Sequence, residues 1–336
     1  MFETKVPSQA SWQDAFARFD EANLLHSWQW GVVNETLGHT IERRIIYKDN
    51  QPVGLLSAII KNARRGRYVE IAGGPLIDWN NPELVDAIMQ LIRNIGKERN
   101  CVFIRLRPQS EDSEHSRQVI QSHGGRISPM HVTADHTTIV DIEQDEDTML
   151  EAMRRQTRYE IRRSKKRSIQ VHCDESEHAI QALHALQVET ARRQQFIPQP
   201  ETFLVACKQA FGSSAKVYTA TKDDQLLNIA LVLQHGNEAA YFEAASTPEA
   251  RKEPGAYAIV WQAMLDAKAA GMKRFNLWGI APPDAPHHRY AGVTTFKRGF
   301  GGNDVHYTPA HDIPLRQPQY EMVRLFEIVR KKRRKL

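Results

Sequence analysis

Cysteine is scarce in this chain, and long apolar runs and several familiar catalytic motifs are missing from it. Among 336 residues there are 3 cysteines, Cys101, Cys173 and Cys207, far apart and without Cys-x-x-Cys spacing. They read as reduced structural thiols, and neither a disulfide staple nor a zinc–thiolate site suits them. No stretch approaches the roughly 20 apolar residues of a membrane span. The first residues, MFETKVPSQASWQD, have neither the cationic start nor the apolar core of a signal peptide. The expectation is a cytoplasmic protein. No Gly-x-x-x-x-Gly-Lys-Ser/Thr occurs, which removes the common phosphate loop. The Gln/Arg-x-x-Gly-x-Gly/Ala signature that cradles the acetyl-CoA pyrophosphate is missing too. His287-His288 has no third ligand at useful spacing, so no metal is expected, and no Ser-His-Asp or Cys-His arrangement can be argued.

What is present begins with charge. Hydrophobic residues make up 41% and charged residues 25%, ordinary for a soluble chain long enough for two domains with real cores. The net charge of +5 is unevenly spread. Residues 153–168 carry eight Arg/Lys against one acid, Glu160, and Arg330 to Lys335 are six consecutive basic residues; the remainder is net acidic. At 100° per residue Leu150, Met153 and Ile161 share one helix face, with Arg154, Arg158, Arg162 and Lys165 beside it and Lys166 further round. Such a helix docks on a core and presents a cationic stripe to a polyanion: tRNA, a sugar-nucleotide diphosphate or anionic lipid headgroups. The alternative is a solvated helix face and a frayed tail.

The chain also contains a weak duplication. Segment 43–61 reads as strand, turn at Asp49-Asn50, and longer strand; segment 216–234 repeats this around Asp223-Asp224. A third strand follows each (67–74 and 239–246), then an amphipathic helix (82–100 and 255–272) and a short strand (102–108 and 274–280). Asp49 to Asp223, Glu70 to Glu243 and Phe103 to Phe275 are offset by 174, 173 and 172 positions. Hairpin, strand, helix, strand is not the alternation of a doubly wound sheet. It resembles the core of the GCN5-related N-acetyltransferase (GNAT) fold. The expected class is α+β: two tandem GNAT-like domains, mixed sheets flanked by helices, and no long coiled-coil arm. The first would hold 1–142 plus about 305–336, with a returning C-terminal helix, and the second 143–304. Asp145 to Thr148 is positioned to cap a helix near that boundary.

Five segments carry a resemblance to a known family. They are Ser27-Trp28-Gln29-Trp30-Gly31; Gly73-Gly74-Pro75; Gln156-Thr157-Arg158-Tyr159-Glu160-Ile161-Arg162 with the strand Ser168-Ile169-Gln170-Val171; Phe275-Asn276-Leu277-Trp278-Gly279-Ile280; and the run from Gly292 through Thr295-Phe296-Lys297-Arg298-Gly299-Phe300-Gly301-Gly302, followed by Tyr307 and Asp312. Together they resemble the Fem (FemABX) peptidyltransferases. The resemblance implies transfer of Gly, Ala or Ser from aminoacyl-tRNA to an amine of a peptidoglycan precursor, nucleotide-linked or lipid-linked, with no cofactor beyond the aminoacyl-tRNA donor. It implies that Lys297 sits near the reacting carbonyl and that the Phe296 carbonyl orients the attacking amine. With an aminoacyl-tRNA donor, the cationic helix supplies the candidate tRNA contacts: Arg154, Arg155, Arg158, Arg162, Lys165 and Lys166.

On the acceptor side the pattern departs. Members that take the nucleotide-linked precursor hold its diphosphate with a lysine after the early Trp segment and an arginine before a Tyr-Phe pair. Here Asn34 and Pro198 stand nearest, with Thr202 for the tyrosine. Trp30, Asn34, Arg105, Arg107, Glu243, Tyr257 and Trp278 are the substrate-binding candidates. Arg105 and Arg107 either supply replacement charge or form a salt-bridged strand end. Glu243 is either a general base with a raised pKa or, by narrow preference, a paired strand carboxylate. Trp30, Trp261 and Trp278 read first as core or pocket wall. Gly299, Gly301 and Gly302 are expected to allow tight turns and close substrate approach. An acyl-CoA-dependent N-acyltransferase, a transferase acting on some other amine, and a non-catalytic RNA-binding protein are the rival functions. The basic tail is a possible contact with an anionic membrane.

Overall fold

Both hairpins of the duplication turn on two residues in the left-handed conformation, Asp49 and Asn50 (φ 50° and 60°) in one and Asp223 and Asp224 (φ 48° and 61°) in the other. Asp and Asn tolerate this region, and two such residues give the turn whose twist matches a β-hairpin. The computed structural model describes residues 1–64, 66–194, 197–283 and 291–334. The chain divides into two compact units, Met1–Asp135 with His306–Leu336, and His136–Val305.

In the first unit, β1 (Thr40–Lys48) and β2 (Gln51–Ala63) form the hairpin, and β3 (Gly66–Ala72) pairs antiparallel with β2. Helix α1 (Pro82–Glu98) starts at Asn81, whose side chain accepts the Leu84 N–H at 3.2 Å. It buries Leu84, Val85, Ile88, Met89, Ile92 and Ile95 at helical spacing against the sheet. Strand β4 (Phe103–Arg107) then lies parallel to β3 along five registered pairs, Tyr68↔Phe103 to Ala72↔Arg107. Every residue of β4 is buried.

The second unit opens with β5 (His136–Asp141), which pairs antiparallel with Arg274–Gly279. That pairing moves the boundary: β5 was expected in the first domain but is a strand of the second unit's sheet. Helices α2 (Arg155–Lys166) and α3 (Glu177–Gln194) follow, then the second hairpin β6 (Ala215–Lys222) and β7 (Gln225–His235), β8 (Glu238–Ser246), α4 (Gly255–Ala269), β9 (Arg274–Gly279) and α5 (Ala291–Arg298). The repeat extends to irregularities. Each hairpin shifts register three residues before its turn, at Ile46/Tyr47 and at Ala220/Thr221. The basic segment is not one helix: the backbone breaks at Met153 and Arg154, both extended (ψ 151° and 142°), so Leu150 lies on a preceding helix, Glu146–Ala152. Met153 and Ile161 are buried as expected.

The chain then returns to the first unit. Strand β10 (His311–Pro314) pairs antiparallel with β4, and α6 (Gln317–Arg334) packs Tyr320 and Val323 against Val102 and Phe103. Among the described residues the longest helices have 18 residues, and none is long and apolar enough to cross a membrane.

Candidate active site

The parallel strands β8 and β9 are registered only over Glu238↔Arg274, Ala239↔Phe275 and Ala240↔Asn276. Beyond Ala240 and Asn276 no pairing links them, although each strand continues for several residues. Irregularities flank the opening on both sides. Leu231 faces Glu243 but Val232 faces Tyr241, which leaves Phe242 as an extra residue in β8. In β9 the register with β5 shifts between Asn276 and Gly279. Trp278 there has φ 61°, an uncommon conformation for a bulky residue and a mark of local strain. It is held: the Trp278 N–H donates to Asn276 Oδ1 at 2.8 Å, and Asn276 is fixed by Thr137 (2.5 Å) and Glu238 (3.0 Å). Bulges of this kind re-aim side chains beside a gap in a sheet. The first unit has no equivalent opening, because β3 and β4 stay paired and Gly73 N–H still donates to Arg107 O at 2.9 Å.

Lys297 and Glu243 are electrostatically coupled at this gap. Lys297, on α5, is 8% exposed, and its Nζ donates to the Gly279 carbonyl at 2.7 Å. Burial lowers its pKa to about 8, against a smaller opposing effect of the Glu243 charge. Burial raises Glu243 to about 7, opposed by hydrogen bonds from Gln187 and Gln199 and by the Lys297 charge. Gln187 Nε2 donates to Glu243 Oε2 at 2.7 Å. A carboxyl and an ammonium that both titrate near neutrality in a sheltered gap suit proton exchange and stabilisation of developing negative charge. Aromatic walls stand beside them, with Phe242 edge-on to Trp278 (5.2 Å between centroids) and Phe203 near Phe242. Lys297, Glu243 and Trp278 are among the candidates named from the sequence. Gln187, Gln199 and the Gly279 carbonyl are not among them, and no local sequence pattern signals them.

Neighbouring candidates take other roles. Arg298, next to Lys297, is exposed and paired with Asp304. Phe296 and Tyr257 form an aromatic cluster with Phe300. The Phe296 carbonyl accepts the Gly299 N–H at 3.1 Å, so its alignment serves the turn after α5. The glycines allow backbone to pack on backbone. A Cβ on Gly299 would lie 2.4 Å from Thr157 Oγ1, and one on Gly301 (φ 83°) 2.6 Å from the Ala152 carbonyl. These contacts and the positive φ of Gly301 fit the expected tight turns. The same contact joins α2 to the site segment, since Arg154 N–H donates to Gly299 O at 2.9 Å.

Arg154, which precedes α2, and Arg155, Arg162, Lys165 and Lys166 on it are exposed. Arg158 is not part of that stripe: its Nη1 turns back to the carbonyls of Leu150, Glu151 and Met153 and closes the end of the preceding helix. In the first unit, Arg105 is saturated. Its Nε and Nη2 bind Asp312 at 2.7 and 2.9 Å, and Nη2 also binds Glu327 at 2.7 Å. Arg107 is 1% exposed, bound to Gln109 and the Ala134 carbonyl, and stacked on Tyr307. Arg105 therefore takes the salt-bridged strand-end role, whereas the carboxylate nearest Arg107, that of Asp135, lies 3.9 Å away. Asn34 is also buried and engaged, donating to Trp30 O and accepting from Lys61 Nζ at 2.7 Å; Trp30 is half-buried. His287 and His288 lie outside the described residues. Among the described residues no group of three or more His, Cys, Asp or Glu could hold a metal.

The sequence profile of the FemAB family matches residues 10–128 and 216–328, more than half of the chain. The chain belongs to the FemAB family. FemAB similarity covers the gap, with Glu243, Trp278 and Lys297, but leaves out α2 and Gln187, which lie between the two matched stretches. An aminoacyltransferase FemA of Staphylococcus epidermidis is 27% identical over 94 residues, 28% of this chain. One of Staphylococcus aureus is 26% identical over 83 residues, 25% of this chain. These alignments span only 22% and 20% of the relatives' own lengths. In three dimensions the FemAB chain superposes on a crystal structure of FemX with a TM-score of 0.86 at 15% identity, over 96% of this chain and 100% of that one. A tandem GNAT protein from the clavulanic acid biosynthesis pathway gives 0.58 at 11% identity, over 94% and 98%. The fold is thus a tandem of two GNAT-like domains.

Proposed function

We propose that this FemAB protein is an aminoacyltransferase. It moves Gly, Ala or Ser from aminoacyl-tRNA to the stem-peptide amine of a peptidoglycan precursor, building an interpeptide bridge in the cytoplasm without a further cofactor. The observation that carries this reading is the coupled Glu243–Lys297 pair in the gap between β8 and β9. An aminoacyl ester is already activated, so the catalyst must supply a neutral amine, close approach and a stabilised oxyanion. The acceptor amine attacks the ester carbonyl, and Glu243 takes the proton that the nitrogen loses. Lys297 stabilises the tetrahedral oxyanion. As the ester C–O bond breaks, Lys297 gives a proton to the departing ribose hydroxyl, and the new amide leaves. The exposed cations of α2, joined through Arg154 to the glycine segment after Lys297, support a polyanionic donor.

The test is a transfer assay with the purified full chain, radiolabelled Gly-, Ala- and Ser-tRNA, and nucleotide-linked and lipid-linked stem peptides. Label is expected in one acceptor, with Lys297→Met lowering kcat by about 10²–10³, the size of effect seen when an oxyanion-stabilising group is removed, while tRNA still binds. Absence of transfer in every combination overturns the proposal.

A further inference from the structure

The C-terminal helix α6 presents two unlike faces. Tyr320 and Val323 are buried against the first unit, and Glu327 reaches Arg105. Met322, Leu325, Phe326 and Val329 follow the i, i+3, i+4, i+7 spacing that places them on one stripe. That stripe is turned outward: Met322 and Leu325 are 67% and 66% exposed, and Phe326 and Val329 each 41%. Four large apolar side chains in line on a surface exceed the scatter of single exposed residues that needs no explanation.

The charge around the stripe has one sign. Met322 and Phe326 line a groove of about 510 Å³ together with Gly66, Arg67, Val102 and Arg316. The two acidic residues of α6 are both committed to arginines of the body, Glu321 to Arg126 and Glu327 to Arg105, each at 2.7 Å. Arg330 and Lys331 follow the stripe directly, and the sequence continues Lys332-Arg333-Arg334-Lys335. An apolar strip flanked by uncompensated cations is complementary to the boundary of a lipid bilayer with anionic headgroups, where acyl chains and phosphates lie side by side. A second copy of the same helix would bring cations against cations. A nucleic acid would satisfy the cations and leave the apolar strip in water.

We infer that α6 is a membrane-docking helix that seats the first unit on an anionic lipid surface, with Met322, Leu325, Phe326 and Val329 in the acyl boundary and Arg67, Arg316, Arg330 and Lys331 on the headgroups. This does not depend on the transfer reaction, because the binding needs neither donor nor acceptor. The test is sedimentation of the full chain with vesicles of equal phosphatidylglycerol and phosphatidylcholine, and with phosphatidylcholine alone. At least tenfold tighter binding to the anionic vesicles is expected. The double substitution Leu325→Ser with Val329→Ser conserves charge and is expected to weaken that binding tenfold or more, with the circular-dichroism melt unchanged. Absence of binding to anionic vesicles overturns the inference, as does binding that the serine variant leaves intact. A concentration-dependent dimer that the serine variant dissolves also overturns it, by assigning the stripe to a second copy.

Discussion

Glu243 on β8 and Lys297 on α5 hold each other's charge in a site where burial opposes both, so that the carboxyl titrates at about 7 and the ammonium at about 8. Two opposite charges brought together elsewhere would move apart in pKa, the acid falling and the base rising. Here desolvation outweighs the attraction and draws the two values together. The productive state, Glu243 ionised and Lys297 protonated, is therefore fullest in a narrow window between them.

The transfer rate inherits that window. kcat/KM is expected to rise with pH through about 7 and to fall through about 8. Glu243→Gln removes the rising limb. It also removes the carboxylate that raises Lys297, so the falling limb should move to lower pH. A full pH profile of kcat/KM for both proteins checks this. An unchanged rising limb in the variant would assign it to another group.

Arg105 separates a structural arginine from a binding one. Its burial alone would lower its pKa, but Asp312 and Glu327 more than reverse this and hold it above the ordinary arginine value. Asp312 is itself fully buried. Arg105→Leu leaves that carboxylate without its main partner, and breaking a buried pair on one side costs about 3–5 kcal/mol. Denaturant unfolding should show that loss. A variant of normal stability with only a raised KM would return Arg105 to the substrate site.

Much of this was legible where the determinants are local. Asp49-Asn50 and Asp223-Asp224 announce their turns, Asn81-Pro82 announces α1, and Asp145 caps its helix by accepting the Thr148 N–H at 2.9 Å. The break at Met153-Arg154 carries no such mark; the segment packs there on the backbone of Gly299 and Gly301, far along the chain. The Gln187–Glu243 contact spans 56 positions and the Arg105–Asp312 pair 207. Residue type alone does not tell a paired arginine from a free one, so Arg105 and Arg158 looked like Arg162.

Arg158 and Arg162 should therefore behave differently on tRNA. Arg162 is exposed on α2, where the proposed tRNA donor would meet it. Arg162→Ala is expected to reduce the slope of log affinity against log salt by about 1, with stability unchanged. Arg158→Ala frees the carbonyls of Leu150, Glu151 and Met153, so it should lower the melting temperature and leave the salt slope intact. Equal slope changes for both would place Arg158 on the RNA.

His26 gives the first unit an acid sensitivity of its own. Its ring is fully buried between strands, with Nδ1 donating to Ala72 O at 3.1 Å and Nε2 accepting the Ser57 N–H at 2.9 Å. The Ser57 N–H bond needs a neutral ring, and burial lowers the pKa to about 4 from the ordinary 6.5, outweighing the Ala72 and Leu55 carbonyls, which favour the charged form. The unfolded chain takes up a proton below 6.5 while the folded chain does not until about 4. Within that interval the unfolded state binds more protons, so stability falls as pH falls. The loss approaches about 3 kcal/mol when fully developed. His26→Gln cannot titrate. It should be less stable than the parent at pH 7, by about 1–3 kcal/mol for the imperfectly replaced hydrogen bonds. The gap between parent and variant should then close as pH is lowered from 6.5 towards 4. Urea unfolding of both proteins at several pH values measures it, and a gap that stays constant would show that His26 is not the residue responsible.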